Sequence, residues 1–186
     1  MTKQLKKKFI IYCNSENLEI NPYQLKVIDK LQSYHKENFK SFFSNFFSKL
    51  SSKKSFYLYG GVGVGKTMLL NFFFNEINKK KQRLHFNEFM LNFHNFVHEK
   101  KYENSENIID LFVKNLKSKF DLIYFDEFQV TNIVDAMILG KLFESIFKAK
   151  IKIIITSNIK IDNLYKDGLQ REQFLPFIKT IKEYSL

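Results

Sequence analysis

Cysteine is almost missing from the 186 residues: Cys13 stands alone and cannot close an internal disulfide. With only four scattered histidines it leaves no Cys/His zinc constellation, so a secreted disulfide scaffold is excluded and a reducing compartment is expected. Long apolar runs are missing too. No stretch reaches the roughly 18 residues of a membrane span, and the lysines of residues 3–8 precede only the short apolar run 9–12, too brief for a signal-peptide core. A soluble intracellular protein is the expectation. Residues 1–15 lack acids, as organelle transit peptides do, but also lack the arginines that accompany that pattern. Arginine is rare throughout, two against 28 lysines, and beside abundant Asn, Phe and Ile this reads as a compositional bias of the coding sequence. Backbone punctuation is scarce as well, with two prolines and six glycines. Four of those glycines fall between positions 60 and 65, so that segment needs positive φ or close backbone approach.

What is present fits one globular domain with a sizeable core: 45% hydrophobic and 26% charged residues. The net charge of +11 is uneven, since residues 1–54 hold 11 lysines against four acids while the remainder holds 19 basic against 15 acidic residues. The expected organisation is a basic, helical segment over residues 1–54 packing on a core formed by residues 55–186. Such a front suits nucleic acid or anionic lipid, but charge runs are more often a solvated surface, and nucleic acid is the disfavoured partner.

Apolar positions Leu25, Ile28 and Leu31 recur at helical spacing across residues 22–39, with Asn21 as N-cap and Pro22 at the first helical position. Phe42, Phe43, Phe46, Phe47 and Leu50 predict a second helix over 41–50. Four short β-branched or aromatic runs follow, at 56–59, 84–86, 122–125 and 151–156, separated by helix-length segments at 68–78, 88–101, 105–117 and 132–148. Strands alternating with helices predict an α/β fold, a parallel sheet in a three-layer α/β/α arrangement. The helix over 132–148 is apolar around much of its circumference, so it is expected between layers.

The glycine cluster reads Gly60-Gly61-Val62-Gly63-Val64-Gly65-Lys66-Thr67 and satisfies G-x-x-x-x-G-K-[ST] between a predicted strand and the helix from Met68. Consecutive N–H groups there curl into an anion nest, and the helix points its positive end at the phosphates, so residues 60–68 form the candidate nucleotide-binding set. Lys66 neutralises β/γ-phosphate charge and Thr67 offers a hydroxyl to Mg²⁺. Sixty residues on, the run 122–125 ends in Asp126-Glu127, where ligands of open α/β sheets bind. Asp126 is placed to hold Mg²⁺ and Glu127 to polarise the attacking water. Asn158, after the last strand, is placed to orient that water or sense the γ-phosphate; as a bare residue it would be an ordinary turn former. Arg171 is one of two arginines in a chain that otherwise chooses lysine, which suits a guanidinium finger on the transferred phosphoryl or, equally by chemistry, a structural ion pair. His94 and His98 stand four apart on a helix without a carboxylate or thiol placed to complete a metal site.

These motifs resemble the ZapE cell-division ATPases of bacteria and their mitochondrial relatives, the AFG1-like branch of the AAA+ superfamily. The resemblance runs from about Phe56 to about Lys179 and is most specific at Phe128-Gln129-Val130-Thr131 and from Gly168-Leu169-Gln170-Arg171 to Phe174-Leu175-Pro176-Phe177-Ile178. It implies an ATP-hydrolysing AAA+ P-loop module with ATP and Mg²⁺ as cofactors, in which Lys66 and Thr67 bind nucleotide. Asp126 and Glu127 carry Mg²⁺ and water activation, Asn158 is the sensor, and Arg171 acts on a neighbouring subunit of a homo-oligomer. A tubulin-like division-ring partner and peripheral association with the inner membrane of a bacterial cytoplasm are implied, with a mitochondrial setting as the alternative. Asn87 and Asn71 depart from the family's usual His and Asp without touching the hydrolytic set. The family continues beyond the equivalent of Leu186 into a last core strand and a helical lid, so the expectation is a core shortened before both, with weaker nucleotide affinity and assembly. A nucleotide-binding module without turnover and a helicase-loader-like protein acting on nucleic acid are the competing readings.

Overall fold

A computed structural model describes residues 4–39, 53–100 and 107–186. The helix predicted over 41–50 lies outside them. Within them the elements run α1 (Gln4–Ser15), α2 (Pro22–Phe39), β1 (Ser55–Tyr59), α3 (Lys66–Glu76), β2 (Lys81–His85), α4 (Phe86–Lys100), α5 (Ile108–Lys119), β3 (Leu122–Asp126), α6 (Ile133–Lys148), β4 (Lys152–Ser157) and α7 (Arg171–Tyr184). The four strands are parallel, in the spatial order β1-β4-β3-β2. Alternate side chains enter opposite cores, as the two-residue period of a strand requires. On β3, Leu122 and Tyr124 join the core beneath α1, α2 and α3, whereas Ile123 and Phe125 join the one beneath α4 to α7. Ile154 of β4 and Phe56 of β1 lie on the first side, Ile153, Ile155 and Tyr57 on the second. The result is the three-layer α/β/α sandwich that the alternating sequence predicts. The central strands β3 and β4 are buried on both faces, which is why their sequences are nearly continuous apolar runs.

Two expectations need correction, on the second strand and on α6, and the front segment expected to be helical gains its detail. The second strand begins at Lys81 rather than Leu84, and Phe86 opens α4. Because β2 is an edge strand, its Lys-Gln-Arg start leaves little apolar signal; pairing with β3, not propensity, sets its bounds. Residues 4–15, which read as a charge run with a short apolar stretch, form a helix whose Phe9 and Cys13, one turn apart, are fully buried. Phe9 meets Phe72 edge-on at 5.2 Å, and Lys6 and Lys8 turn outward to Asp29 and Glu76. Finally, α6 does not lie between layers. It packs beside α5 and α7 within one helical layer and keeps Lys141, Glu144 and Lys148 exposed. Gly140 lets α7 close in, since a Cβ there would stand 3.5 Å from the Phe177 nitrogen.

Past α7, Leu186 N–H donates to the Ser55 carbonyl at 3.0 Å and Tyr57 N–H donates to the Leu186 carbonyl at 3.1 Å, so the last two residues pair in parallel beside the outer edge of β1.

Candidate functional site

The strands' C-terminal ends gather most of the residues that the sequence singles out. The loop after β1 enters α3 through Gly63 and Gly65, whose φ angles of 79° and 82° belong to the left-handed region that glycine alone adopts without strain. A Cβ on Gly65 would also stand 2.8 Å from Nε2 of Gln24, which reaches over from α2. Gly61 instead faces open space, with nothing within 4 Å of where a Cβ would stand, which leaves its backbone open to close approach by an anion. The loop is tied down at its start, where Gly60 N–H donates to the Ser157 carbonyl at 3.2 Å. Lys66 folds back over it, Nζ donating to the Gly61 carbonyl at 2.6 Å and to Asn158 Oδ1 at 2.9 Å. The Lys66 ammonium and the Asn158 amide are therefore joined across 92 residues of sequence.

Asp126 sits at the end of β3, 3% exposed. Its Oδ1 accepts from Thr156 Oγ1 at 2.5 Å, Thr67 Oγ1 at 3.2 Å and the Tyr124 hydroxyl at 3.2 Å, and its Oδ2 accepts from Arg83 Nη2 at 2.5 Å. Burial pushes this carboxyl up, but the hydrogen bonds from Thr156 and Arg83, the Arg83 charge and the Tyr124 hydroxyl outweigh it, so Asp126 lies below the ordinary carboxylate range and is ionised at neutral pH. Burial and the Asp126 charge both push the Tyr124 phenol far up, which keeps it a donor. Glu127 is placed differently. Its φ of 54° turns the chain sharply, its side chain is 76% exposed, and Oε2 stands 4.0 Å from Nδ1 of His85. Thr156 organises both acids, because its hydroxyl donates to Asp126 and accepts the Glu127 N–H at 3.0 Å. The turn is anchored by Phe128, buried against Phe86 at 4.3 Å between ring centroids and stacked on Phe177 at 5.8 Å.

Arg171 is not drawn into this cluster. Its Nη2 donates to the Asp162 carbonyl at 2.7 Å, and its Nε is buried with no hydrogen-bond partner among the described residues. Gln170 before it adopts a φ of 53°, and Gly168 is required because any Cβ would land in the Tyr165 ring. His94 is engaged by Asp135 at 2.7 Å, which pins α4 to the first turn of α6. His98 takes no part in that pair. Sequence reasoning missed Arg83, Tyr124, Thr156 and Gln24 as parts of the site. For Arg83 a signal existed: it is one of only two arginines.

The donor set fits Mg²⁺, a hard ion held by one or two carboxylates together with phosphate oxygens: a hydroxyl and an ionised carboxylate 3.2 Å apart, with a second carboxylate adjacent and an open cradle at Gly61.

Comparison with known proteins shows the family and the fold. The profile of the AFG1-like ATPase family matches residues 15–185. The chain is 42% identical over 147 residues to Lactation elevated protein 1 homolog B of Danio rerio, covering 74% of this chain and 29% of that protein. It is 40% identical over 140 residues to the cell division protein ZapE of Escherichia coli, covering 74% and 36%. The chain thus spans about a third of the length of the curated relatives it matches. Among solved structures it is similar in fold to the DnaC helicase loader, with a TM-score of 0.59 at 14% identity over 90% of this chain and 89% of that one. DnaI gives a TM-score of 0.57 at 16% identity over 92% and 87%.

Proposed function

The chain belongs to the AFG1-like ATPase family, and we propose that it binds Mg²⁺-ATP at residues 60–68 and hydrolyses the γ-phosphate bond. The observation that carries this is the convergence of Lys66, Thr67, Asp126, Glu127 and Asn158 at one end of the sheet, with Asp126 and Glu127 held in different environments by one hydroxyl, that of Thr156. The N–H groups of the loop cradle the phosphates, and Lys66 exchanges its contact with the Gly61 carbonyl for phosphate oxygens while Asn158 steadies it. Thr67 and Asp126 would hold Mg²⁺, which neutralises charge on the phosphates in line displacement. Glu127, exposed and free of the hydroxyl network that occupies Asp126, polarises the attacking water and accepts its proton. Arg171 lies outside the cluster of its own chain, which supports its use as a finger in the site of a neighbouring copy. The work driven by hydrolysis is the remodelling of a protein assembly, and the ZapE relative, a cell division protein, makes a division-ring component the first candidate.

Turnover of Mg²⁺-ATP across protein concentration, beside Lys66→Ala and Glu127→Gln, tests this. Turnover that rises more than proportionally with concentration, vanishes in Lys66→Ala and is lost in Glu127→Gln with nucleotide binding retained is expected. Equal turnover in Glu127→Gln would remove that residue from the mechanism, and nucleotide binding without turnover in the parent chain would leave a binding module.

A further inference from the structure

The outer edge of β2 has no strand beside it among the described residues, since the sheet ends there in the order β1-β4-β3-β2. The register says which groups that edge leaves open. The Lys80 carbonyl accepts from Leu122 N–H at 3.2 Å, and backbone groups alternate sides along a parallel strand, so Gln82 and Leu84 turn theirs toward β3 while Lys81 and Arg83 turn theirs outward. The Arg83 carbonyl agrees with this, because it accepts from the side-chain amide of Gln82 at 3.2 Å. Charged side chains ordinarily guard such an edge against pairing. Here the two that could do so are engaged elsewhere: Lys81 Nζ holds the carbonyls of Phe74 and Ile77, and Arg83 holds Asp126.

Beside the edge, on the face to which Gln82 and Leu84 point, a groove of about 540 Å³ opens between β2, α4 and α5. Its floor is apolar and includes Leu84, Phe89, Phe96, Phe112, Phe120 and Ile123, of which Leu84, Phe96 and Phe120 stay partly exposed. Its wall on α4 is one stripe of that helix, Glu88, Asn92, Asn95 and Glu99. At a rise of 1.5 Å per residue the stripe is about 16 Å long, the reach of about five residues of extended chain. Asn115 of α5 adds another amide. The side chains of Glu88, Asn92, Asn95, Glu99 and Asn115 are exposed and have no hydrogen-bond or ion-pair partner among the described residues. With Lys119 the lining carries one positive and two negative charges, on a chain whose net charge is +11.

We infer that this groove and the open edge of β2 together bind an extended segment of another protein, apolar at alternate positions and carrying Lys or Arg at both ends. Each part of the surface selects one of those features. The outward N–H and C=O groups of Lys81 and Arg83 take up the segment's backbone as an added strand, which a helical segment could not satisfy. Every second side chain of that strand falls on the Leu84 face, where the partly exposed Phe96 and Phe120 receive it. Amide side chains carry donor and acceptor together, so Asn92, Asn95 and Asn115 suit peptide groups better than a charged ligand. The unpaired carboxylates of Glu88 and Glu99, at the two ends of the α4 stripe, set the charge of the segment's ends.

Fluorescence anisotropy on the nucleotide-free full chain tests this, with a labelled peptide of about seven residues that has lysine at each end and valine alternating with threonine between. Saturable binding is expected, weaker by about tenfold or more for the same peptide with glutamate at its ends, and lost when the peptide is N-methylated along its backbone. Glu88→Lys/Glu99→Lys lowers affinity by about tenfold, and Asn92→Trp, which fills the groove from an exposed position, abolishes binding. Circular dichroism checks that both variants fold, and Glu88→Gln/Glu99→Gln is the milder substitute. Hydrogen exchange locates the peptide, because the outward N–H of Arg83 should exchange more slowly once a strand covers it. No binding at millimolar peptide, equal affinity for the lysine-ended and glutamate-ended peptides, or protection that falls away from β2 overturns the inference. Equal binding of the N-methylated peptide overturns strand addition. Dimerisation of the chain that the peptide reverses gives the groove to a second copy and overturns its assignment to another protein.

Discussion

Arg83 and Asp126 form the pair on which the site's geometry depends most, and removing the guanidinium has a calculable effect. Breaking a fully buried ion pair from one side costs about 3–5 kcal/mol, because the remaining charge is stranded. Asp126 is 3% exposed but keeps three hydroxyl donors, and the Arg83 side chain is 40% exposed, so solvent screens part of the interaction. Arg83→Gln is therefore expected to cost about 1–3 kcal/mol at neutral pH. For a chain of 186 residues this lowers Tm by roughly 3–10 °C. Asp126 has a depressed pKa in the folded state, so its contribution is fully present above the unfolded carboxylate value of about 3.9 and is lost as pH falls through the folded-state value. The stabilities of parent and Arg83→Gln should converge in acid. Thermal unfolding followed by circular dichroism in chelator, from neutral to acid pH, gives both quantities. In an Asp126→Asn background the same substitution should cost only the stacking of Arg83 on Tyr124, 5.4 Å from the ring centroid and worth about 0.5–1 kcal/mol. If Arg83→Gln costs as much in that background as in the parent chain, the two side chains are not coupled, and Arg83 is not what holds Asp126 ionised.

Gly65→Ala combines a forbidden φ with a clash against Gln24, so nucleotide binding should fall by more than about tenfold; adding Gln24→Ala should recover only the steric part, and full recovery in a fluorescent-nucleotide titration would contradict the φ argument. Gly168→Ala drives a methyl into the Tyr165 ring, which should shift the turn that presents Arg171 and cost about 1–3 kcal/mol by thermal unfolding; a variant as stable as its parent would show that the ring is free to leave. Thr156→Val removes the hydroxyl shared by the two acids while keeping its volume. Turnover should fall more than nucleotide affinity, and equal losses in both would reduce Thr156 to a binding role.

Part of this protein was written locally. The phosphate loop is contiguous, so its glycines, Lys66 and Thr67 were legible from spacing alone, as were the acids that end β3, because an apolar run followed by Asp-Glu states both the strand and its polar end. The alternating elements determined an α/β sandwich for the same reason, and the period of two within each strand assigned side chains to its two faces. Local pattern failed where apolar signal was thin, at the edge strand β2 and at α1, whose burial rests on two residues one turn apart.

The remainder depended on which strands became neighbours. Nothing in the sequence around Arg83 says that β2 lies beside β3 in the register that pairs Arg83 with Tyr124 and His85 with Asp126, yet that register delivers the guanidinium to the buried carboxylate. The same holds for Thr156, which reaches both acids only because β4 lies between β3 and β1. Motifs whose atoms belong to one turn of chain are set by local sterics and hydrogen bonding. Partnerships across strands are set by the burial of whole faces, which selects order and register for the core as a unit and leaves the polar ends to meet where that choice puts them.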